Sequence, residues 1–539
     1  IDYKMGVTLN PKDADLYFEL AYSYNELELY QKAIFNYSKY LELDPENPST
    51  HNNIGNIYQN SLNDYKKALE SYNKTIEIDS TYATGYLNRA DLYGFKLKEY
   101  DKALQDYTKA IELAPEDSDY YYKRGQFYQK EKKDYEKAII DYKMGVTLNP
   151  KDADLYFELA YSYNALELYQ KAIFNYSKAL ELDPEETNTY NNIGLIYKNG
   201  LNDYKKALEY FNKAIEIDST YAKGYLNRAE LYGFKLKEYD KALQDYSKAI
   251  ELAPENSYYY YYRGQFYRKE RNNYEKALND LNSSIEILYS NSNYENLEMA
   301  ELYEERADIF IKLKSFDKAI EDWKQTYEVD SSYTAYANYN IGSIYLNEIR
   351  DFDEAIVYLS KSLELKYWNP QIIFSKRSIA YANQEKYSLA IKDINKAIEL
   401  DPENKTYYYK RLNIYLLIND YDNSIIEANR TIKMDRSDPQ GFYGLGYTMY
   451  NNKEYYKSLK YLTISIDKMI NNKKDHYIGD PNGLDKISLP DLYKFRASIY
   501  EKLNVPNLMC EDLNDAMNYV KDDVLKKEIQ KSILEKCKD

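Results

Sequence analysis

Between positions 153 and 186 the chain reads ADLYFELAYSYNALELYQKAIFNYSKALELDPEE. Tyr156, Leu159, Tyr163 and Leu166 recur at steps of three and four residues, and Ala172, Ile173, Tyr176, Ala179 and Leu180 form a second such run. Recurrence near 3.6 residues places each run on one face of a helix. Pro184 closes the second run, because its ring disfavours helix at the residue before it. The pattern predicts two amphipathic helices joined by a short turn. Ala160 and Ala172 are small at points where the two helices must come close.

The pattern repeats along the chain. Residues 1–139 and 140–278 align without a gap and differ at 23 of 139 positions, which marks a duplicated block. The block divides into units of 34, 35, 35 and 35 residues, so the structural repeat is the shorter period. In one frame the units fall at 14–47, 48–82, 83–117, 118–152, 153–186, 187–221, 222–256 and 257–291. They continue in more degenerate form at 300–333, 335–369, 371–404, 405–438, 439–470 and 490–518. Residues 1–13 read as the end of a truncated repeat. Because Ile1 falls inside a repeat, the N-terminus of the protein is expected to lie upstream, with any targeting segment. The longer units are expected to hold their extra residue in the turn before the second helix. Two spacers interrupt the rhythm, at 289–298 and 471–489. The second carries Asp480, Pro481, Asn482 and Gly483, strong turn formers, and is expected to be mobile. Residues 519–539 are expected to form a polar capping helix over the last apolar face.

The residues at fixed places in the unit resemble the tetratricopeptide repeat (TPR). That signature has a bulky residue at place 4, a small one at 8, Tyr at 11, Ala at 20, an aromatic at 24, Ala at 27 and Pro at 32. Here these are Tyr156, Ala160, Tyr163, Ala172, Tyr176, Ala179 and Pro184. The resemblance implies an all-α, right-handed superhelical solenoid. Its first helices would line a concave groove and its second helices would form the back.

Fourteen units serve as a small internal alignment. Place 7 is Arg in eight of them: Arg89, Arg124, Arg228, Arg263, Arg306, Arg377, Arg411 and Arg496. In the same eight, place 23 is acidic: Asp106, Asp141, Asp245, Asp280, Asp322, Asp393, Glu427 and Asp512. Where place 7 is Leu or Ile, place 23 is Asn, Ser or Tyr. A charge in the core of a helix pair is costly alone. The correlation therefore predicts eight structural ion pairs, each bridging the two helices of one unit.

Composition narrows the chemistry. The chain has 539 residues with a formal charge of −16, which disfavours a nucleic-acid groove. No apolar run approaches the roughly 18 residues of a membrane span. Glycine-rich phosphate loops, metal-ligand spacings and nucleophile elbows are missing from the sequence. Its two histidines, His51 and His476, read as solvated surface, and no cofactor is expected. Cys510 and Cys537 are expected on neighbouring helices, either as a disulfide or as two buried thiols.

The resemblance therefore implies a non-catalytic scaffold that binds a protein or peptide in its groove. Two alternatives are the recognition arm of a larger enzyme and a self-assembling structural protein. Groove places in this family are 2, 5, 6, 9, 12 and 13. In unit 48–82 they read Ser49, Asn52, Asn53, Asn56, Gln59 and Asn60, and Asn returns at place 6 as Asn88, Asn192, Asn227 and Asn340. This resembles the asparagine ladder in the repeat arm of O-linked N-acetylglucosamine transferases, which implies amide contacts to an extended peptide backbone. Nine of the 23 differences between the duplicated blocks fall at groove places. Lys198, Lys223 and Arg268 add positive charge in the second copy, beside Tyr258 and Tyr262. From this the second copy is expected to favour a more acidic or aromatic segment.

Overall fold

The recurring apolar stripes form helices throughout. The computed structural model describes residues 2–290, 296–471, 477–478, 487–520 and 522–537. They build an all-α solenoid of consecutive helix pairs, which divides into two compact units, residues 1–259 and 260–539. The division falls within the helix Ser257–Arg271. In the first unit, Asp2–Leu9 precedes seven pairs, from Ala14–Glu26 and Tyr30–Leu43 to Ala222–Glu230 and Tyr239–Leu252. The second unit runs to the pair Leu489–Lys502 and Pro506–Tyr519, and the helix Asp523–Lys536 closes it, with Ile529 buried beneath. Each helix packs mainly on its neighbours in sequence. Ala153–Ala165, for example, lies against Tyr135–Leu148 and Tyr169–Leu182.

Small and large residues alternate where the helices cross. Ala33, Ala68, Ala103, Ala138, Ala172 and Ala207, all at place 20, are fully buried. One turn further along the same second helices lie the place-24 rings Tyr72, Tyr107, Tyr142, Tyr176 and Phe211, also fully buried. Gly125 shows how close the helices come: a Cβ there would stand 2.7 Å from the Tyr142 ring. Gly125→Ala should therefore overpack this crossing and cost roughly 1–3 kcal/mol, readable as a lower urea midpoint.

The extra residue of the longer units lies in the first helix itself, and not in the turn expected from sequence. It widens the last turn into π-helix at Ile57–Ser61, Leu92–Leu97, Tyr128–Lys132, Ile196–Gly200, Leu231–Leu236 and Tyr345–Ile349. The widening keeps the second helix in register with the shorter units. Every pair then turns through one residue in the left-handed region, such as Glu28, Asn63, Lys98, Lys133 and Glu167. None of these turn residues is glycine, which is why the glycine content gave no hint of the turns.

The spacer segments 291–295, 472–476 and 479–486, with His476 and the Asp480–Gly483 turn formers, lie outside the described residues. Within the second spacer, Tyr477–Ile478 and Ile487–Ser488 pair as a short antiparallel ribbon. His51 corrects its sequence reading. It is half-buried, and burial lowers its pKa. Cys510 and Cys537 form a disulfide with their Cα atoms 5.7 Å apart.

Candidate functional site

All eight arginines of place 7 meet the carboxylate 16 or 17 residues later, at 2.7–2.9 Å. In seven of the pairs, Nε and Nη2 each bond a different carboxylate oxygen, as Arg124 does with Asp141 at 2.8 and 2.7 Å. Arg411 directs both nitrogens at one oxygen of Glu427. In six cases the guanidinium also lies 5.3–5.6 Å from the ring three residues earlier, within cation–π range.

A further partner escaped the sequence reading. Nη1 donates to a neutral polar side chain on an earlier second helix: Asn73 for Arg89, Asn212 for Arg228, Asn282 for Arg306 and Asn395 for Arg411. Each of these four arginines thus ties its own repeat to the one before. The signal was present two residues after place 23. Lys143 and Lys324 stand at that place only where the next unit has Leu159 or Ile341 in place of Arg.

The asparagines line the same helical face but are largely engaged by the protein. Asn88 donates to Asn52 at 2.9 Å, and Asn227 donates to Asn191 at 2.7 Å. The Tyr72 hydroxyl stands 2.8 and 3.1 Å from the amide oxygens of Asn56 and Gln59, and Asn192 donates to the Tyr176 hydroxyl. Asn340 donates to a backbone carbonyl of its own helix. Of the first cluster, Asn60 is the exposed member. The amides therefore form a floor network fed by the place-24 tyrosines. An amide bonded across neighbouring helices has fewer groups left for a ligand.

Two of the three cations that distinguish the second copy are likewise engaged by the protein. Lys198 is 7% exposed and bonds Glu230 at 2.7 Å. Arg268 meets Glu305 at 2.6 Å and Asp308 at 3.8 Å. Neither cation is free for an acidic ligand. In the first copy, Gln59 stands in place of Lys198, and Asp91 faces Lys123 at 3.8 Å. Duplication has moved an ion pair from one side of the acid to the other, and Tyr72 has become Phe211 as Asn56 became Leu195. Lys223 and Tyr258 are exposed, and Tyr262 lies edge-on to Tyr261.

Groove places from successive helices in the first unit do come together around one cleft of about 580 Å³. Phe157 and Tyr161 supply rings, Asn188 and Asn192 supply amides, and Lys223 stands at one end. Asp154, Glu158, Asp183 and Glu186 give it a carboxylate wall. Burial, then Asp152, Glu186 and Asp183, hold the Asp154 carboxyl above its ordinary pKa. Burial, then Glu158 and Asp154, push the Tyr122 phenol up to about 12. Asp183 and Glu186 lie outside the groove places of the repeat frame, at the turn into the next unit. Reading by frame alone missed them.

Among the described residues no helix is long and apolar enough to cross a membrane, and no group of three or more His, Cys, Asp or Glu is placed to hold a metal ion. Models of the tetratricopeptide repeat match residues 14–47, 48–82, 118–152, 151–220, 222–256, 335–367 and 376–442, and a TPR repeat model matches 95–132. Heat shock protein STI1 of Saccharomyces cerevisiae is 25% identical over 96 residues, which is 18% of this chain and 16% of that protein. The crystal structure of YrrB, described as a TPR protein with an unusual peptide-binding site, is 26% identical and covers 35% of this chain and 95% of its own, with a TM-score of 0.30. Yeast Tom70 is 18% identical and covers 85% of this chain and 96% of its own, with a TM-score of 0.33. With matched repeats from residue 14 to residue 442, and an ion-paired helix couple recurring to residue 512, this chain belongs to the tetratricopeptide repeat family.

Proposed function

We propose that the chain is a non-catalytic scaffold that binds another protein through an extended segment laid across its first helices. One observation carries this reading. Side chains at places 2, 5, 6 and 9 of successive units line an open cleft of about 580 Å³, while those at places 20 and 24 pack shut behind it. Rings and amides side by side suit a peptide, whose side chains need apolar contact and whose backbone needs donors and acceptors. Tyr161 is 44% exposed and ready to make such a contact. The structural arginines belong to the scaffold in this reading, since each is held by a carboxylate of its own unit.

A photo-crosslinking amino acid placed at Tyr161, and separately at Phe174 on the second helix, tests the reading in the full chain. Phe174 is 61% exposed, so access is matched or better. Partner adducts are expected from position 161 and not from position 174. Equal labelling from both positions, or none from 161, would overturn it.

A further inference from the structure

The cleft's charges are ordered along the repeat stack. Lys130 and Lys133 come from unit 118–152 and Lys223 from unit 222–256, at the two ends. Asp154, Glu158 and Asp183 come from unit 153–186 between them, and Glu186 stands where that unit meets the next. Asp183 and Glu186 are partly used within the protein. Asp183 accepts the backbone N–H of Glu185, and Glu186 caps the next helix by accepting from both nitrogens of Asn188. No salt bridge takes up Asp154 or Glu158 among the described residues. The groups that press on Asp154 besides burial are all carboxylates.

A second, independent feature points to an occupant. Thr189 lines the same cleft, is 0% exposed, and its hydroxyl has no hydrogen-bond partner. A buried hydroxyl without a partner is costly. The first copy has no such defect, because the matching Thr50 hydroxyl donates to Asn47 at 3.1 Å. Where the first copy has Asn47 the second has Glu186, whose side-chain bonds go to Asn188 instead. The change adds a carboxylate to the cleft and at the same time leaves the buried threonine hydroxyl without a partner. The cleft stands at the junction where one block stacks on the next: Lys130 and Lys133 belong to the first block, and Asp154 through Lys223 to the second.

We infer that this junction cleft selects an extended segment with a lysine or arginine at its centre. The cation would sit between the Asp154 and Glu158 carboxylates and against the Tyr161 ring, with the Thr189 hydroxyl meeting a polar group of the segment. The flanking lysines favour neutral or acidic residues on either side of that cation, so a polybasic tract is a poorer fit. This inference rests on the peptide-binding reading above and gives it a chemical class. It also reverses the expectation from sequence that this region prefers acidic segments, because two of the three cations behind that expectation are neutralised in place.

The test uses the full chain and three fluorescein-labelled peptides of about ten Ser and Gly residues, with a central Lys–Lys, Gln–Gln or Glu–Glu pair. Fluorescence anisotropy at low ionic strength should rank Lys–Lys over Gln–Gln by about three- to tenfold, and Glu–Glu last. The ratio should fall as salt is added. The double variant Asp154→Asn, Glu158→Gln, checked for folding by circular dichroism, should bring the ratio to about one while Gln–Gln binding is kept. Binding of all three peptides with no preference, or with Glu–Glu preferred, would overturn the inference and leave the peptide reading standing. Binding of none at about 1 mM would overturn both.

Discussion

Asp141→Ala should lower the stability of unit 118–152 by about 3–5 kcal/mol, the range for a buried charge that loses its partner. The Arg124 guanidinium would keep only its 3.5 Å contact to Thr108, in a site where its side chain is 19% exposed. The chain itself supplies the rescue. Unit 153–186 occupies the same frame with Leu159 and Asn175, and needs no ion pair. The double variant Arg124→Leu, Asp141→Asn should therefore recover most of the loss, because an apolar replacement of a buried pair is commonly neutral or better. The pKa directions of the two partners differ: although burial lowers it, Asp141 holds the Arg124 guanidinium above its ordinary value, and the carboxyl gains less. Burial raises the Asp141 carboxyl although Arg124 pulls it down, so holding this group ionised costs stability at neutral pH. With a folded pKa above the unfolded one, that cost is relieved as pH falls through the folded value. Hydrogen exchange resolved by unit is the suitable measurement, since repeats open locally. Loss of protection confined to residues 118–152 and their neighbours is expected for the single variant. Equal protection in the single and double variants would show that the pair is not a unit.

Sequence periodicity carried most of this architecture because every unit solves the same packing problem. Ala at place 20 and a ring at place 24 recur through the first seven repeats, so the frame could be set from 153–186 and extended to the more degenerate ones. The Arg–carboxylate pairs were legible for a related reason: fourteen units made one position's dependence on another visible. The π-helical turns were not, since one extra residue reads alike in a loop and in a widened helix end. Side-chain direction within the groove was also hidden. Lys198 falls at a groove place, yet its ammonium turns into Glu230, and only geometry shows which of two nearby acids or ligands a lysine reaches. Likewise Asn52 and Asn88 read as ligand contacts because their places face the groove, but their mutual bond runs between helices 36 residues apart. Asp183 and Glu186 enter the cleft from the turn, where the repeat frame assigns no ligand role.

Reduction of the Cys510–Cys537 disulfide, or Cys510→Ser, should loosen the C-terminal helix while the preceding pairs stay folded. The bond closes a span of 27 residues, for which loop-closure entropy gives about 3–4 kcal/mol. What else holds Asp523–Lys536 is modest. Ile529 is its fully buried side chain, and Lys494–Glu528 and Lys536–Glu501 are exposed ion pairs at 2.6 and 2.7 Å. Exposed pairs of this kind contribute about 0–1 kcal/mol each. The covalent link therefore outweighs both ion pairs together. The helix covers part of the apolar cluster built on Leu492, Tyr493, Leu513 and Ala516, which forms the last layer of the stack. A solenoid end left uncovered binds apolar dyes and self-associates. In reducing buffer, hydrogen exchange in 523–536 should rise by about two orders of magnitude, with a smaller increase in 506–519 and none in 405–434. Dye binding should rise in parallel, and both changes should reverse on reoxidation. Unchanged protection of 523–536 in Cys510→Ser would show that Ile529 and its neighbours hold the cap without the disulfide.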